Sequence, residues 1–381
     1  MPTKKISCIV KEKSYETACT VKIAQRVTER HGTFMAKERA NIYTIAKEAG
    51  VSPATVSRVL TNNARVSKEK REKVQSVIQK YGYTPNALAQ GLSNSKTRLI
   101  GLMIADIYSP FYSAVATECE KAADKAGYLM VMLTSLGDPE LEKKQLMKLY
   151  EQQVDAIIVV GGVIDRITVD EEYVEQLNHI LESTPIIATN RPVGVRNCKI
   201  HLDEGGSMDL AMDYLFSLGH EKIATVGGRK DAKSTLEKRM RYRTMLRQKG
   251  IVYREDYVFD SIDYSNESGY KCMKELLKNP DRPTAVVAIN DFTAAGVLRA
   301  IHDEGLRVPQ DISVVAFDNT YLSGALTPAL TSVGANYTEF AKHLVEAAIR
   351  ASENETCPED YMVPVGISVR DSCTHVPEEN L

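Results

Sequence analysis

The sequence predicts an α/β chain in which a small helix-turn-helix module near the N-terminus precedes a two-lobed, doubly wound α/β body. Three observations carry that expectation. The string NIYTIAKEAGVSPATVSRVLTNN reads as two short helices around a tight turn. From Leu99 onward, short apolar runs alternate with longer amphipathic ones, the pattern of buried parallel strands joined by crossover helices. Formal charge is also divided: residues 41–98 carry +7, residues 1–40 carry +5, and the remainder carries −14, so a polyanion partner is expected for the first part only.

In the basic module Asn41 can cap a first helix whose Ile42, Ile45, Ala46 and Ala49 share a face. Gly50 supplies the turn and Val51 plugs inward. Ser52 followed by Pro53 is an N-cap with proline at the first helical position. A second helix then runs from Pro53 to about Leu60, with Val56, Val59 and Leu60 turned inward and Ala54, Thr55, Ser57 and Arg58 outward, the arrangement of a recognition helix. A third is expected from a Ser67 cap through Lys80, with Val74, Val77 and Ile78 inward and Gly82 ending it.

In the body, LIGLMIAD, YLMVMLTS, VDAIIVVGG, PIIATN, KIATVGG, AVVAIND and SVVAFDN read as strands, with helices such as Phe111 to Ala126 and Glu140 to Gln152 between them. About 280 residues are long for one sheet, which favours two lobes and a cleft. Ligands of such sheets bind beyond the carboxyl ends of the strands. Asp106, Asn190, Arg191, Asn290, Asp291 and Asp318 stand there. Each also has a plainer reading: Asp291 could cap the next helix, Asp318 and Asn319 could form a turn, and Arg191 could sit in a surface loop.

Composition narrows the function classes. No apolar run approaches the length of a membrane span, and the N-terminus lacks the apolar stretch of a secretion signal, so a cytoplasmic protein is expected. The seven cysteines show no CxxC pair and no histidine at zinc-ligand spacing; they read as reduced thiols, with neither metal nor cofactor. No GxSxG, Walker loop, HExxH or GxGxxG after a strand is present, which argues against an enzyme.

AGVSPATVSRVL, followed by RVSKEKREKV and YGYTPNALAQGLSNSKTRLIG, resembles the DNA-binding end of the LacI/GalR (lactose-repressor/galactose-repressor) family. SPFY, LGHEKIATVGG, RPTAVVAINDFTAAGVL, GLRVPQDISVVAFDN and TPALTSV resemble that family's effector-binding core, itself similar to periplasmic sugar-binding proteins. The resemblance implies a sequence-specific repressor of a carbohydrate-related operon, a homodimer on palindromic operator DNA. Its effector would be a small polar molecule: a sugar, amino-sugar or sugar phosphate. A protein coregulator is the alternative.

Carried over by position, Pro53, Ala54 and Arg58 face bases, Arg58 having the geometry for guanine N7 and O6. Ser52, Thr55 and Asn62 lie near phosphates. Pro85 to Ser93 matches a hinge helix whose Leu88 and Leu92 enter the minor groove, Leu92 as the wedge that kinks the duplex. The implied effector site is Ser109 and Phe111 on one lobe, Asn190 and Arg191 near the hinge, and Ser234, Lys238, Tyr264, Asn290, Asp291 and Asp318 opposite. Lys238 departs from the family, which has arginine four residues before the aromatic matching Tyr242; with Arg191 it could instead meet a phosphate or carboxylate.

The expected organisation is an N-terminal extension at 1–40, from a mis-assigned start or as a basic arm, a helix-turn-helix domain at 41–84, hinge helix and linker at 85–97, and an effector and dimerisation domain at 98–381. Its N-lobe is expected at about 98–200 and 332–361, its C-lobe at about 202–330 and 362–381. No leucine heptad follows Asp371, so a dimer is expected over a tetramer.

Overall fold

The computed structural model describes residues 40–60, 66–83 and 96–376. The chain divides into two compact units between Ser93 and Asn94. The N-terminal extension up to residue 39, Asn62, and the hinge residues Leu88 and Leu92 lie outside the described residues.

Among its described residues the first unit holds three helices: α1 (Ile42–Ala49), α2 (Pro53–Leu60) and α3 (Lys68–Tyr81). Asn41 caps α1, its side chain accepting from Thr44 N at 2.9 Å, and Gly50 ends it at φ 66°, a left-handed geometry that glycine adopts without a Cβ penalty. Ile45, Val56 and Val74, one from each helix, are fully buried and form the centre of the unit's core. Ser67 precedes α3 but makes no side-chain cap bond, and Gly82 closes α3 as expected.

The second unit has two six-stranded sheets. In the first, β1 (Leu99–Ile104), β2 (Leu129–Thr134), β3 (Ala156–Val160), β4 (Ile186–Ala188), β5 (Cys198–Leu202) and β11 (Asp360–Val363) pair in the order β11-β5-β4-β3-β1-β2, all parallel. In the second, β6 (Ile223–Val226), β7 (Val258–Phe259), β8 (Ala285–Ala288), β9 (Ser313–Phe317), β10 (Thr331–Ala335) and β12 (Val365–Ser368) pair in the order β12-β10-β9-β8-β6-β7, parallel except for the β10–β12 pair.

Helices cover both faces of each sheet. The first sheet carries α4 (Pro110–Lys125) and α12 (Tyr337–Ser352) on one face and α5 (Pro139–Glu151) and α6 (Glu171–Leu181) on the other. The second carries α9 (Asn266–Leu276) and α10 (Asp291–Asp303) opposite α7 (Glu204–Ser217) and α8 (Lys233–Gln248). Burial on both faces explains the continuous apolar runs of β1, β3, β4, β6, β8 and β9, whereas β2, at the sheet edge, is equally apolar but leaves Leu129 and Met132 exposed.

The chain passes between the sheets three times, after β5, after β10 and between β11 and β12. The second passage falls at Asn336, a few residues later than the expected 332, because β10 hydrogen-bonds to β9 in the second sheet. The others fall after Leu202 and Val363, extending the N-lobe slightly past 200 and 361. β5 and β10 left no apolar run in the sequence: Lys199 and His201 interrupt one, and Thr331 and Ser332, both fully buried, begin the other. The expectation of uniformly reduced thiols is corrected, for Cys198 and Cys357 are joined by a disulfide. Cys119, Cys272 and Cys373 are free.

Candidate ligand cleft and recognition helix

On α2 the outward residues fall as the helical period requires: Ala54 and Arg58 are exposed, and Pro53, Thr55 and Ser57 half-buried. Ser52 stands at the cap position, its Oγ accepting from Thr55 N at 3.3 Å and lying 2.9 Å from Thr55 Oγ1. Ser52 and Thr55 therefore fix the start of the helix as well as standing where a phosphate would pass. Outside α2, Lys80 is paired with Glu48 across α3 and α1.

In the second unit the carboxyl ends of both sheets face each other across a cleft. Three adjoining cavities of about 90, 100 and 190 Å³ occupy it, and Tyr112 and Asp165 line all three. Ser109 and Phe111 enter from the start of α4, Asn190 from the loop after β4, Ser234 and Lys238 from α8, Tyr264 from the loop before α9, Asn290 from the end of β8, and Asp318 from the end of β9. Eight of the ten effector residues expected from the sequence thus meet in one place.

Arg191 and Asp291 do not line these cavities. The Arg191 guanidinium turns to the β5–β11 edge, with Nε donating to Asn197 O at 3.1 Å and Nη1 pairing with Glu359 at 3.0 Å. Asp291 is 1% exposed and holds the turn after β9, accepting from Thr320 N, Thr320 Oγ1 and Ser332 Oγ. The capping role considered for it belongs to Asn290, which accepts from Thr293 N at 2.7 Å. Asp291 supports the cleft by holding Thr320 and Ser332 beside Asp318, whose φ is 89° and whose amide donates to Val333 O at 2.8 Å.

Acceptors dominate the cleft. Asp165 bridges the lobes, accepting from Ser234 Oγ at 2.6 Å and Ser234 N at 3.3 Å, while burial pushes its carboxyl up. Burial likewise raises Asp318 to about 7, with the charge of Asp291 adding to the rise and that of Lys238 opposing it. Burial lowers Lys238 to about 8 against the pull of Asp318 and Asp165. Lys238 donates to Glu204 and lies 5.0 Å from the Phe317 ring centre, so its charge is already matched. Lys233 donates to Asn190 Oδ1 at 2.9 Å, a second tie between the lobes. A backbone bond from Ile167 N to Asp231 O, 2.9 Å, is a third.

Sequence reasoning missed Tyr112, Asp165 and Glu204. Tyr112 was within reach, as the last residue of SPFY. Asp165 follows β3 through a 3-10 turn, Gly162–Asp165, so it stands five residues past the strand rather than at its end. Glu204 follows β5, the strand the sequence hid. No group of three or more metal-ligating side chains occurs among the described residues.

A three-helix reader with an outward basic side chain, and a separate two-lobed body with a polar cleft, define a ligand-responsive DNA-binding protein. Residues 41–86 match the family model "Bacterial regulatory proteins, lacI family", and residues 212–373 the model "Periplasmic binding protein-like domain". Catabolite control protein A of Priestia megaterium is 35% identical over 297 residues, 77% of this chain and 86% of that protein. The HTH-type transcriptional regulator DegA of Bacillus subtilis is 33% identical over 341 residues, 88% of this chain and 98% of that one. Among solved structures, the lac repressor dimer bound to operator and the anti-inducer ONPF matches with TM-score 0.77 and 26% identity, covering 88% of this chain and all of that one. The chain belongs to the lacI family and is a DNA-binding regulator of transcription.

Proposed function

We propose that the chain represses a carbohydrate-related operon as a homodimer on a palindromic operator, and that a neutral or amino sugar in the cleft is its effector. The observation that carries the effector class is the charge balance of the cleft. Asp165 and Asp318 offer carboxylate oxygens, Asn190 and Asn290 offer amides, and Phe111 and Tyr264 offer aromatic faces for the apolar side of a sugar ring. Against these, Lys238 is matched by Glu204 and Arg191 is turned away to Glu359, which leaves Lys233, bonded to the neutral Asn190 amide, to set against Asp165 and Asp318. A phosphate entering here would meet more carboxylates than uncommitted cations, which disfavours a sugar phosphate. The complex of the regulator CelR with cellobiose, similar to this chain at TM-score 0.64 and 26% identity over 88% of it, supports a carbohydrate.

On the DNA side, Arg58 reads guanine from the outer face of α2, Pro53 and Ala54 make apolar base contacts, and Ser52, Thr55 and Asn62 lie against phosphates. Leu88 and Leu92 enter the minor groove from the hinge. Effector binding shifts the angle between the lobes and so changes operator affinity, which requires different effector affinities in the two states. The protein works in the cytoplasm without catalysing a reaction, and a protein coregulator is the second route of control.

The test is thermal unfolding across sugars, amino sugars, uronates, sugar phosphates and purines, with hits retested for their effect on binding to a palindromic duplex. A sugar that raises the midpoint and shifts DNA affinity supports the reading, and the direction of the shift assigns inducer or corepressor. Stabilisation by sugar phosphates alone overturns the charge argument.

A further inference from the structure

Cys198 begins β5 and Cys357 lies three residues before β11, and the two strands run parallel with Lys199 opposite Asp360 and Leu202 opposite Val363. Both strands lead directly out of the first lobe: β5 passes through Asp203 into α7, and β11 passes through Pro364 into β12. Asp203 N donates to Val363 O where they leave, at 3.4 Å. The two cysteines therefore sit at the start of this strand pair, at the end away from the crossings at Leu202 and Val363, and tie strands that carry two of the three connections between the lobes. Their Cα atoms are 6.7 Å apart, within the span a disulfide bridges. Both are half-buried, open to a small reagent, whereas Cys119 is buried and its thiol is pushed up to about 12 by that burial. Arg191 pins the same edge through Glu359, so the loop bearing Cys357 is already held in register.

We propose that Cys198 and Cys357 form a reversible thiol–disulfide site that takes a low-molecular-weight disulfide as oxidant and staples the two hinge strands. One cysteine thiolate attacks a sulfur of glutathione disulfide, forming a mixed disulfide and releasing one glutathione thiolate. The second cysteine loses its proton to solvent and attacks the protein sulfur of that mixed disulfide, releasing the second glutathione. Two protein thiols are oxidised and one external disulfide is reduced to two thiols. In a reducing compartment such a bond forms transiently and reports redox state. Closure adds a covalent tie to a register that hydrogen bonds already set and restrains the shear of β5 against β11, which stiffens the hinge.

The full-length protein is equilibrated with glutathione disulfide and glutathione at stepped ratios, trapped by alkylation and digested. Hydrogen exchange is then compared between oxidised and reduced forms. The expected result is a peptide linking Cys198 to Cys357, with amides of 200–205 and 362–367 exchanging at least about tenfold more slowly when oxidised, and full reversal by dithiothreitol. The C357S variant, altered in a loop rather than the core, should show neither change and match the reduced protein. Failure of the linked peptide to form, or its formation without slower exchange at the hinge, overturns the proposal. Neither readout needs an effector, so the outcome is independent of the sugar assignment.

Discussion

Replacing Asp291 by asparagine and, separately, by alanine divides the burial of its charge from the making of its hydrogen bonds. One carboxylate oxygen accepts from Thr320 N at 2.6 Å and Thr320 Oγ1 at 2.8 Å, and the other from Ser332 Oγ at 2.6 Å. These bonds hold a turn in which Asp318 and Asn319 have φ of 89° and 50°, conformations that cost about 1–3 kcal/mol each for non-glycine residues. Burial outweighs the donors and raises the Asp291 carboxyl from 3.8 to about 6, which amounts to about 3 kcal/mol against the ionised form at neutral pH. Because the folded value lies above the unfolded one, the contribution of Asp291 is fully present below about pH 4 and is lost as pH rises through about 6.

An amide of the same shape keeps both Thr320 bonds on Oδ1, while its Nδ2 meets the Ser332 hydroxyl, which must turn and lose its acceptor. D291N is therefore expected within about 1 kcal/mol of the wild type at neutral pH. Its stability should fall less between about pH 4 and pH 7, by about 3 kcal/mol. D291A leaves the buried Thr320 N–H without an acceptor and should cost about 2–4 kcal/mol. Urea midpoints followed by circular dichroism at stepped pH measure all three. An alanine variant as stable as the asparagine one, or an asparagine variant with the wild-type pH slope, refutes the reasoning.

Arg58→Ala should weaken binding to the protein's own operator by about 1–3 kcal/mol while changing affinity for unrelated DNA little, as fluorescence anisotropy at fixed salt would show. K238M removes the donor to Glu204, whose side chain is 22% exposed in the cleft, and should destabilise by about 1–3 kcal/mol, with most of the loss recovered in K238M/E204Q; equal stability of the single and double variants in urea would count against the pairing. Gly161 has φ 68°, and a Cβ there would stand 2.1 Å from the Tyr112 hydroxyl. The Gly161 ψ of −160° puts it in a region essentially reserved for glycine, so G161A should lose about 1–3 kcal/mol from backbone strain alone. It should also displace Tyr112 and lower the affinity of any sugar found by screening, read by calorimetry; unchanged affinity would remove Tyr112 from the binding surface.

The three helices of the first unit were legible because four of their six boundaries have a local chemical cause: the Asn41 side chain, the left-handed Gly50, Pro53 at a helix start, Gly82 at a helix end. Most strands with continuous apolar runs were legible for a similar reason, since a strand buried on both faces tolerates little else; β2 was legible from its apolar run although it lies exposed at the sheet edge. β5 and β10 escaped because their polar residues are satisfied by partners distant in sequence: Asp360 for Lys199 and His201, Ser372 for the Thr331 amide, and Asp291 for Ser332. Their absence from the sequence pattern moved the lobe boundary and hid Glu204.

Strand ends read from the sequence placed Asn190, Asn290 and Asp318 at the cleft, and the family resemblance added Ser109, Phe111, Ser234, Lys238 and Tyr264. The sequence could not decide which way a side chain at a strand end turns. Arg191 and Asp291 follow β4 and β8 just as Asn190 and Asn290 do, yet one points to Glu359 and the other behind the sheet to Thr320. All four stand past the strand ends, Asp291 as the first residue of α10, so strand alternation does not set their direction; for Arg191 and Asp291, partners distant in sequence do. The pairing of Lys238 with Glu204 and of Cys198 with Cys357 likewise joins residues 34 and 159 positions apart. Only the closure of two sheets by three crossing strands sets such distances.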